Sequence, residues 1–240
     1  MCIVREQSTE NRAGENEMSR LTALFLTAVL INLAVLTHQA YAYDNGDFQI
    51  WNTDSEDVKV YKNVKFSMEQ EFRYGKNASE LYYQHYEFGT VFAFDKMLDI
   101  GFFYRLVYER LHNKKWREED EPSVNATLRF DLWKFKIDDR NRLEYRHFRY
   151  KDDSIRYRNK FTIKLPLEFK KIKFSPYSGD EMFISSDSTG FNENRFSSGV
   201  EFELTKYAKF DIYYMFKENK IKDNKWNNTN VLGTRVKIMF

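Results

Sequence analysis

Apolar and polar side chains alternate with a period of two along most of the chain. Between residues 64 and 74, apolar side chains stand mostly at even positions and charged ones at odd positions, and the same alternation recurs in successive stretches up to Phe240. Side chains of an extended strand point alternately to the two faces of a sheet, so this pattern predicts β-strands with one apolar and one charged face. From Asp47 onward we find no apolar stripe with the period of a helix.

The predicted strands are longer than those of soluble domains. They run for roughly 10–14 residues, whereas a soluble strand averages about 5–6 and a membrane-crossing strand needs about 9–11. Tight turns are expected near 62–63, 95–96, 133–134, 170–171 and 207–208. Longer polar loops are expected at 75–80, 112–121, 150–154, 185–194 and 220–227. Short turns at one end and longer loops at the other are typical of outer-membrane barrels.

Composition changes this picture only when the two faces are considered separately. The 240 residues are 42% hydrophobic and 31% charged, and the mean hydropathy of −0.69 would describe an ordinary soluble protein. The mean hydropathy of a barrel strand, however, averages an apolar face toward lipid and a polar face toward the lumen. A low mean hydropathy is therefore compatible with a β-barrel in a membrane. We therefore expect the charged residues in the lumen and the aromatic residues, 18% of the chain, on the lipid face or in interfacial girdles.

The charge balance and the cysteine content exclude two classes. Lys and Arg number 38 against 36 Asp and Glu, which argues against an electrostatic nucleic-acid binder. The single Cys excludes a disulfide framework. No metal or cofactor motif was found, so no metal and no cofactor is expected.

The N-terminal region has the order of a secretory signal. A short basic start at 18–20 precedes an apolar run at 21–36, and Ala40 and Ala42 form an A-x-A cleavage site. A membrane anchor is the alternative, but sixteen helical residues cover only ~24 Å of a ~30 Å hydrocarbon core. We predict a signal peptide over 1–42 and a barrel domain over 43–240. Residues 1–17 either precede the true start at Met18 or form a long polar leader.

The C-terminal strand ends on an aromatic residue. Gly233, Val236, Ile238 and Phe240 resemble the assembly signal that the outer-membrane insertion machinery recognises, although Val231 stands where that signal has a polar residue. With the leader and the strand pattern, this predicts an all-β, antiparallel up-and-down transmembrane β-barrel of 10–12 strands in the outer membrane of a Gram-negative bacterium.

The strand count depends on the weak segment at 48–61. Ten strands are well formed after it, and eleven is the wrong parity for a barrel with both termini in the periplasm. Either this segment is not a full wall strand and the barrel has ten, or it splits around 52–55 and the barrel has twelve. A bulge is expected near Pro176 and Gly179.

Several short motifs carry a resemblance to a known family. They are DFQIW at 47–51, EFR at 71–73, RNRLEY at 140–145, RYRNK at 156–160, DEMF at 180–183 and NR at 194–195. In these, the chain resembles the bacterial family called domain of unknown function 2490, over essentially all of residues 43–240. The resemblance implies an outer-membrane barrel and brings no established activity or catalytic residues.

Arginines are the most distinctive residues of the charged face. We expect a charge ladder in the lumen formed by Arg140, Arg142, Glu144, Arg146, Arg156, Arg158, Glu71, Arg73, Glu181 and Arg195. Guanidinium groups pair bidentately with carboxylates. The ladder either forms a salt-bridged interior that closes a narrow barrel, or it lines a small pore with weak anion preference or a solute site.

These observations predict a non-enzymatic, porin-like narrow channel or a structural membrane protein. Its expected partners are outer-membrane lipid, the barrel-assembly machinery and small solutes, with no nucleic acid. One alternative is a barrel hydrolase acting on lipid, for which His85, His112 and His147 are the histidines available outside the leader. The other is a secreted soluble β-barrel that binds a small apolar ligand.

Overall fold

The computed structural model describes residues 45–110, 115–169, 172–187, 190–221 and 225–240. The chain divides into two units, Met1–His38 and Gln39–Phe240, and every described residue belongs to the second. The predicted signal peptide, including Ala40 and Ala42, lies outside the described residues, as does the predicted turn at 170–171.

Strands account for nearly all of the described chain. They are β1 (Asp47–Tyr61), β2 (Val64–Gly75), β3 (Glu80–Ala93), β4 (Leu98–Arg110), β5 (Trp116–Leu132), β6 (Phe135–Phe148), β7 (Ser154–Lys164), β8 (Leu167–Phe169), β9 (Ile172–Ser185), β10 (Gly190–Thr205), β11 (Ala208–Lys220) and β12 (Trp226–Met239). The described ranges contain no helix long and apolar enough to cross a membrane.

The sheet closes on itself. Neighbours follow the chain from β1 to β7, continue through β9, β10, β11 and β12, and return to β1. The three-residue β8 pairs only with β9, at the rim. The wall therefore has eleven strands, and closure leaves the wall without a free sheet edge.

Neither predicted strand count, ten or twelve, is correct. The weak segment at 48–61 belongs to one continuous strand, β1, which pairs with β2 in antiparallel fashion and with β12 in parallel fashion from Asp47 to Asp57. An odd number of wall strands requires one parallel pair. The prediction of antiparallel neighbours is correct for all the remaining strand pairs of the wall. It fails only between β1 and β12, which we call the parallel seam.

Two predicted loops are shorter than expected. Most of 112–121 is strand, because β5 begins at Trp116 and residues 116–121 pair with β4. Part of 185–194 is also strand, because β10 begins at Gly190 and pairs with the end of β9. Polar residues dominate both stretches and suggest loops, but their inward carboxylates are neutralised by lumen arginines.

The predicted bulge near Pro176 and Gly179 does not form, because β9 keeps its register with β10 on one side and with β7 and β8 on the other past these residues. The pairing of β10 with β9 keeps its register from Glu193 to Glu203, through both residues. On the other side, β7 ends at Lys164, and β8 resumes the pairing with β9 at Leu167. Pro166, which has no N–H to donate to a ladder, lies in this break.

The outward face is mainly apolar. Large hydrophobic side chains such as Phe88, Phe102, Leu128 and Leu143 are exposed on it. Polar outward side chains near mid-strand pair with one another, as Gln70 does with Asp54 at 3.2 Å. Such pairing reduces the free-energy penalty of polar groups on an apolar surface.

The inner face carries aromatic residues as well as charges. One buried cluster contains Trp51, Tyr177, Tyr213, Met215 and Val231. The expectation that aromatic residues occupy only the lipid face and the girdles is therefore wrong for this group. A narrow lumen needs volume as well as charge, and aromatic rings supply both bulk and a face for arginine stacking.

The C-terminal residues of the predicted assembly signal have two different roles. Gly233 faces inward, and a Cβ there would lie 2.0 Å from Tyr213 Cζ, so only a glycine leaves room for this ring. Val236 is exposed on the outward face. The Phe240 N–H donates to the Asp57 carbonyl at 2.9 Å, which fixes the end of the chain to β1.

Replacing Gly233 with Ala is expected to lower the free energy of unfolding by about 1–3 kcal/mol, because the Tyr213 ring must move. In a Tyr213→Ala background the same substitution should have little effect, since the space is then free. Urea unfolding of the refolded protein in detergent measures both differences. An equal loss in the two backgrounds would show that the ring is not the cause.

Candidate functional site

Strands β6 and β7 place like charges opposite one another on the inner wall. Arg142 is the register partner of Arg158, and Arg140 is the partner of Lys160. Directly opposed like charges repel across a strand pair. The counter-charges must therefore come from other rows and other strands, which determines how the ladder is arranged.

Glu144 lies at the centre of the arrangement and is 0% exposed. Arg142 Nε lies 2.8 Å from Glu144 Oε1, and Arg158 donates to the same oxygen at 2.9 Å. Arg156 donates to the other carboxylate oxygen. Three guanidinium groups thus surround one carboxylate that has no contact with water.

A second carboxylate reaches Arg142 from a strand that is not its neighbour in the wall. Glu87 on β3 accepts hydrogen bonds from Arg142 at 2.5 and 3.2 Å, although β4 and β5 lie between the two strands in the wall. Arg105 on β4 donates to the same Glu87 carboxylate at 2.9 Å. We call this bidentate pair of Glu87 and Arg142 the chord, because it passes through the lumen between two strands that are not neighbours. Arg142 is only 2% exposed there.

Toward the loop end, Glu121 is the shared carboxylate. It accepts from Arg156 at 2.7 Å and from Arg146 at 3.2 Å, and Arg105 lies 3.6 Å away. Arg146 also forms a two-pronged pair with Glu119. The network therefore extends without a break from the chord to the upper lumen.

Toward the turn end, Glu181 on β9 is the carboxylate that several arginines share. Arg158 and Arg140 donate to it at 2.8 and 2.9 Å, and Arg195 lies 3.9 Å away. Arg158 thus links Glu144 to Glu181, which joins the two parts of the network. Eight of the ten predicted ladder residues are members of this one network.

The other two, Glu71 and Arg73, form a separate pair on β2. Arg73 donates to Glu71 at 2.6 Å, and Thr53 donates to the same carboxylate at 2.9 Å. The Arg73 guanidinium lies 3.6 Å from the centre of the Trp51 ring and 3.9 Å from that of Tyr83. Aromatic faces stabilise a desolvated cation in this geometry.

The predicted ladder omits several residues that complete the network. They are Glu87, Arg105, Glu119 and Glu121. Glu87 and Arg105 occupy polar positions of the alternation, so their inward direction can be predicted from sequence, whereas Glu119 and Glu121 lie in the stretch 112–121, which the sequence predicts as a loop. Which strand lies across the lumen depends on the shear of the closed sheet, and sequence alternation contains no signal for that quantity.

This network divides the lumen into chambers. A lower chamber of about 300 Å³ lies toward the turn end, and an upper one of about 180 Å³ lies toward the loop end. Both are lined by the same four arginines, namely Arg73, Arg105, Arg158 and Arg195. The chambers therefore meet at a layer of ion-paired side chains near mid-height.

The histidines considered for hydrolysis have other partners. His85 is buried, and its ring nitrogens lie 3.1 Å from the Tyr83 hydroxyl and 3.3 Å from Glu69 Oε1. His147 is exposed, with Nδ1 2.9 Å from Asp153. Hydrogen bonds from the Tyr145 hydroxyl and from His147 lower the pKa of the Asp153 carboxyl below its usual value.

No serine hydroxyl hydrogen-bonds to His85 or His147 within the described ranges, and His112 lies outside them. Among the described residues, no group of three or more His, Cys, Asp or Glu side chains is arranged to hold a metal ion. The interactions that the inner wall shows are charge pairs between arginines and carboxylates.

The substitution Glu144→Gln is expected to lower the free energy of unfolding by about 3–5 kcal/mol, because buried arginines lose their shared counter-charge. The matched control is Glu203→Gln, since Glu203 is more exposed and lies 3.9 Å from Lys209 near the turn end. An exposed pair of this kind contributes less than about 1 kcal/mol. Urea unfolding compares the two, and equal losses would contradict a central role for Glu144.

Comparison with known proteins gives a family and a weak likeness to solved structures. No curated protein matches the chain. The crystal structure of the beta domain of the Bordetella autotransporter BrkA is 10% identical, covers 72% of this chain and 82% of its own, and has a TM-score of 0.46. The model of the family described as protein of unknown function (DUF2490) matches residues 48–228, which confirms the resemblance drawn from the motifs, and the chain belongs to this family.

Proposed function

We propose that this chain is an outer-membrane β-barrel and a narrow channel whose lumen is closed at mid-height by the ion-paired layer. The chord between Glu87 and Arg142 carries the proposal, because it joins β3 to β6 through the lumen, past the two wall strands between them. The proposal takes the chain to be non-enzymatic. Solutes can pass only when the layer rearranges, so the described conformation corresponds to a closed state.

The dimensions and the outer surface of the barrel support a membrane location. Its wall strands range from 11 residues in β7 to 17 in β5, against the ~9–11 that cross a bilayer. A closed sheet satisfies its backbone hydrogen bonds internally, which a membrane requires. The short turns then face the periplasm and the longer loops face outward.

The inner wall argues against the soluble alternative. A barrel that stores an apolar ligand needs an apolar interior, whereas both chambers are lined mainly by charged side chains. The outward phenylalanines and leucines would also have to be exposed to water. For biogenesis, the proposal assigns Val236, Ile238 and Phe240 to recognition by the barrel-assembly machinery.

If the chain is located in the outer membrane as proposed, the full chain expressed in a diderm bacterium should fractionate with that membrane. A closed barrel resists unfolding by detergent, so unheated samples should migrate faster on a denaturing gel than heated ones. Replacing Phe240 with Asp is the matched variant and should reduce the folded, fast-migrating fraction. Recovery of the wild-type chain in the soluble fraction would overturn the proposed location.

Conductance in planar bilayers tests the closure. Wild-type protein should show small, infrequent channels. The double variant Glu87→Gln/Arg142→Gln removes both charges of the chord together, so no buried charge is left unpaired, and conductance should rise several-fold. The control Glu118→Gln/Arg149→Gln removes an exposed pair near the loop end, joined at 2.7 Å, and should leave conductance unchanged. A wild-type trace of a wide open pore, or no effect of the chord variant, would contradict closure by this layer.

A further inference from the structure

The charges of the inner wall are distributed differently in two neighbouring cavities. A cavity toward the turn end, about 160 Å³, is lined by four cations and four carboxylates: Lys65, Arg129, Arg140 and Lys237 with Asp57, Glu69, Glu87 and Asp99. The lower chamber above it is lined by ten cations and five carboxylates. Three of its cations, Arg105, Arg195 and Lys237, also contact carboxylates that lie outside its lining, namely Glu87, Glu193 and Asp57.

Carboxylates in the lower chamber are shared by several cations. Glu181 serves three arginines, as described above. Glu201 lies 3.2 Å from Lys164 and 2.9 Å from Lys209, and so serves two lysines. Because each carboxylate carries one negative charge, Glu181 and Glu201 alone do not balance the cations that they contact, and Arg158 and Arg195 also pair with Glu144 and Glu193.

Lys160 has no carboxylate partner within 4.0 Å among the described residues. It occupies the middle of β7, and its register partners are Arg140 on one side and Glu181 on the other. Glu181 itself is directed to the arginines. The Lys160 side chain lines the lower chamber and keeps three hydrogen-bond donors for whatever occupies it.

Small hydroxyl side chains provide the space. Thr53, Ser55, Ser67 and Ser197 line the same chamber from β1, β2 and β10. They leave a volume of about 300 Å³, at the lower end of the range for small-molecule sites. The chamber also shares Ser67 and Lys237 with the turn-end cavity, so the two cavities adjoin.

We propose that the lower chamber is a binding site for a small multivalent oxyanion, a molecule that carries two or more phosphate or carboxylate groups. Guanidinium groups bind such oxygens in bidentate pairs, and Lys160 supplies an uncommitted ammonium. The ligand supplies the counter-charge that Lys160 does not find among the described residues. This inference builds on the proposed function by giving the lumen a ligand class, but it requires only access from the turn-end mouth and no conduction.

Calorimetric titration of the refolded full chain in detergent, with inorganic pyrophosphate as the probe, tests the site. Saturable binding of one ligand per chain is expected, and sodium chloride at the same ionic strength should not reproduce it. Citrate, as a second probe, distinguishes phosphate from carboxylate ligands, and saturable binding of either supports the site. Lys160→Gln should weaken binding about tenfold, as for the loss of one charge-assisted hydrogen bond.

Two further variants keep the test independent of stability and of channel activity. Lys160→Arg retains the charge and should bind, whereas Lys134→Gln removes an exposed lysine from the turn between β5 and β6 and should bind like the wild type. If Lys160→Gln fails to refold, Arg235→Gln on the opposite wall should weaken binding instead. Absence of saturable binding to both probes, or equal weakening by Lys134→Gln, overturns the site, whereas a failed conductance test leaves it standing.

Discussion

Charges that are removed from water need counter-charges, and this requirement organises the inside of the barrel. The wall brings many ionised side chains into a narrow space, where an isolated charge would carry a large desolvation penalty. Neighbouring strands cannot meet the need alone, because β6 and β7 present like charges to each other. The arginines therefore reach to β3, β5 and β9, and the lumen closes as a result of their pairing.

The geometry of the guanidinium group explains why arginine rather than lysine occupies the central layer. Arg142 contacts Glu87 through its terminal nitrogens and Glu144 through Nε, and Arg158 likewise joins Glu144 to Glu181. A planar group with five donors can bridge two carboxylates, whereas an ammonium is a point charge. Four lysines line the lower chamber, whereas one lysine lines the upper chamber.

The sequence predicts the strands and their inward faces well, because alternation depends on a local property of the backbone. It predicts less about relations between distant strands. The strand count was wrong because nothing local in β1 indicates that it pairs with β12 in parallel fashion. The ladder was incomplete for the same reason, since Glu87 meets Arg142 only after the sheet has closed with a particular shear. Trp51 and Tyr213 lie inside because volume as well as polarity determines which side chains fill a narrow lumen.

The parallel seam has a consequence for the kinetics of folding. It joins residue 47 to residue 229, so its formation requires closing nearly the whole chain into a loop, and contacts of such sequence separation form slowly. Until then the sheet has two unpaired edges, each able to associate with another chain. The hydrogen bonds between Phe240 and the backbone of Asp57 and Lys59 act as a latch on this last step. The time before the latch closes is the period in which the barrel is most vulnerable to aggregation.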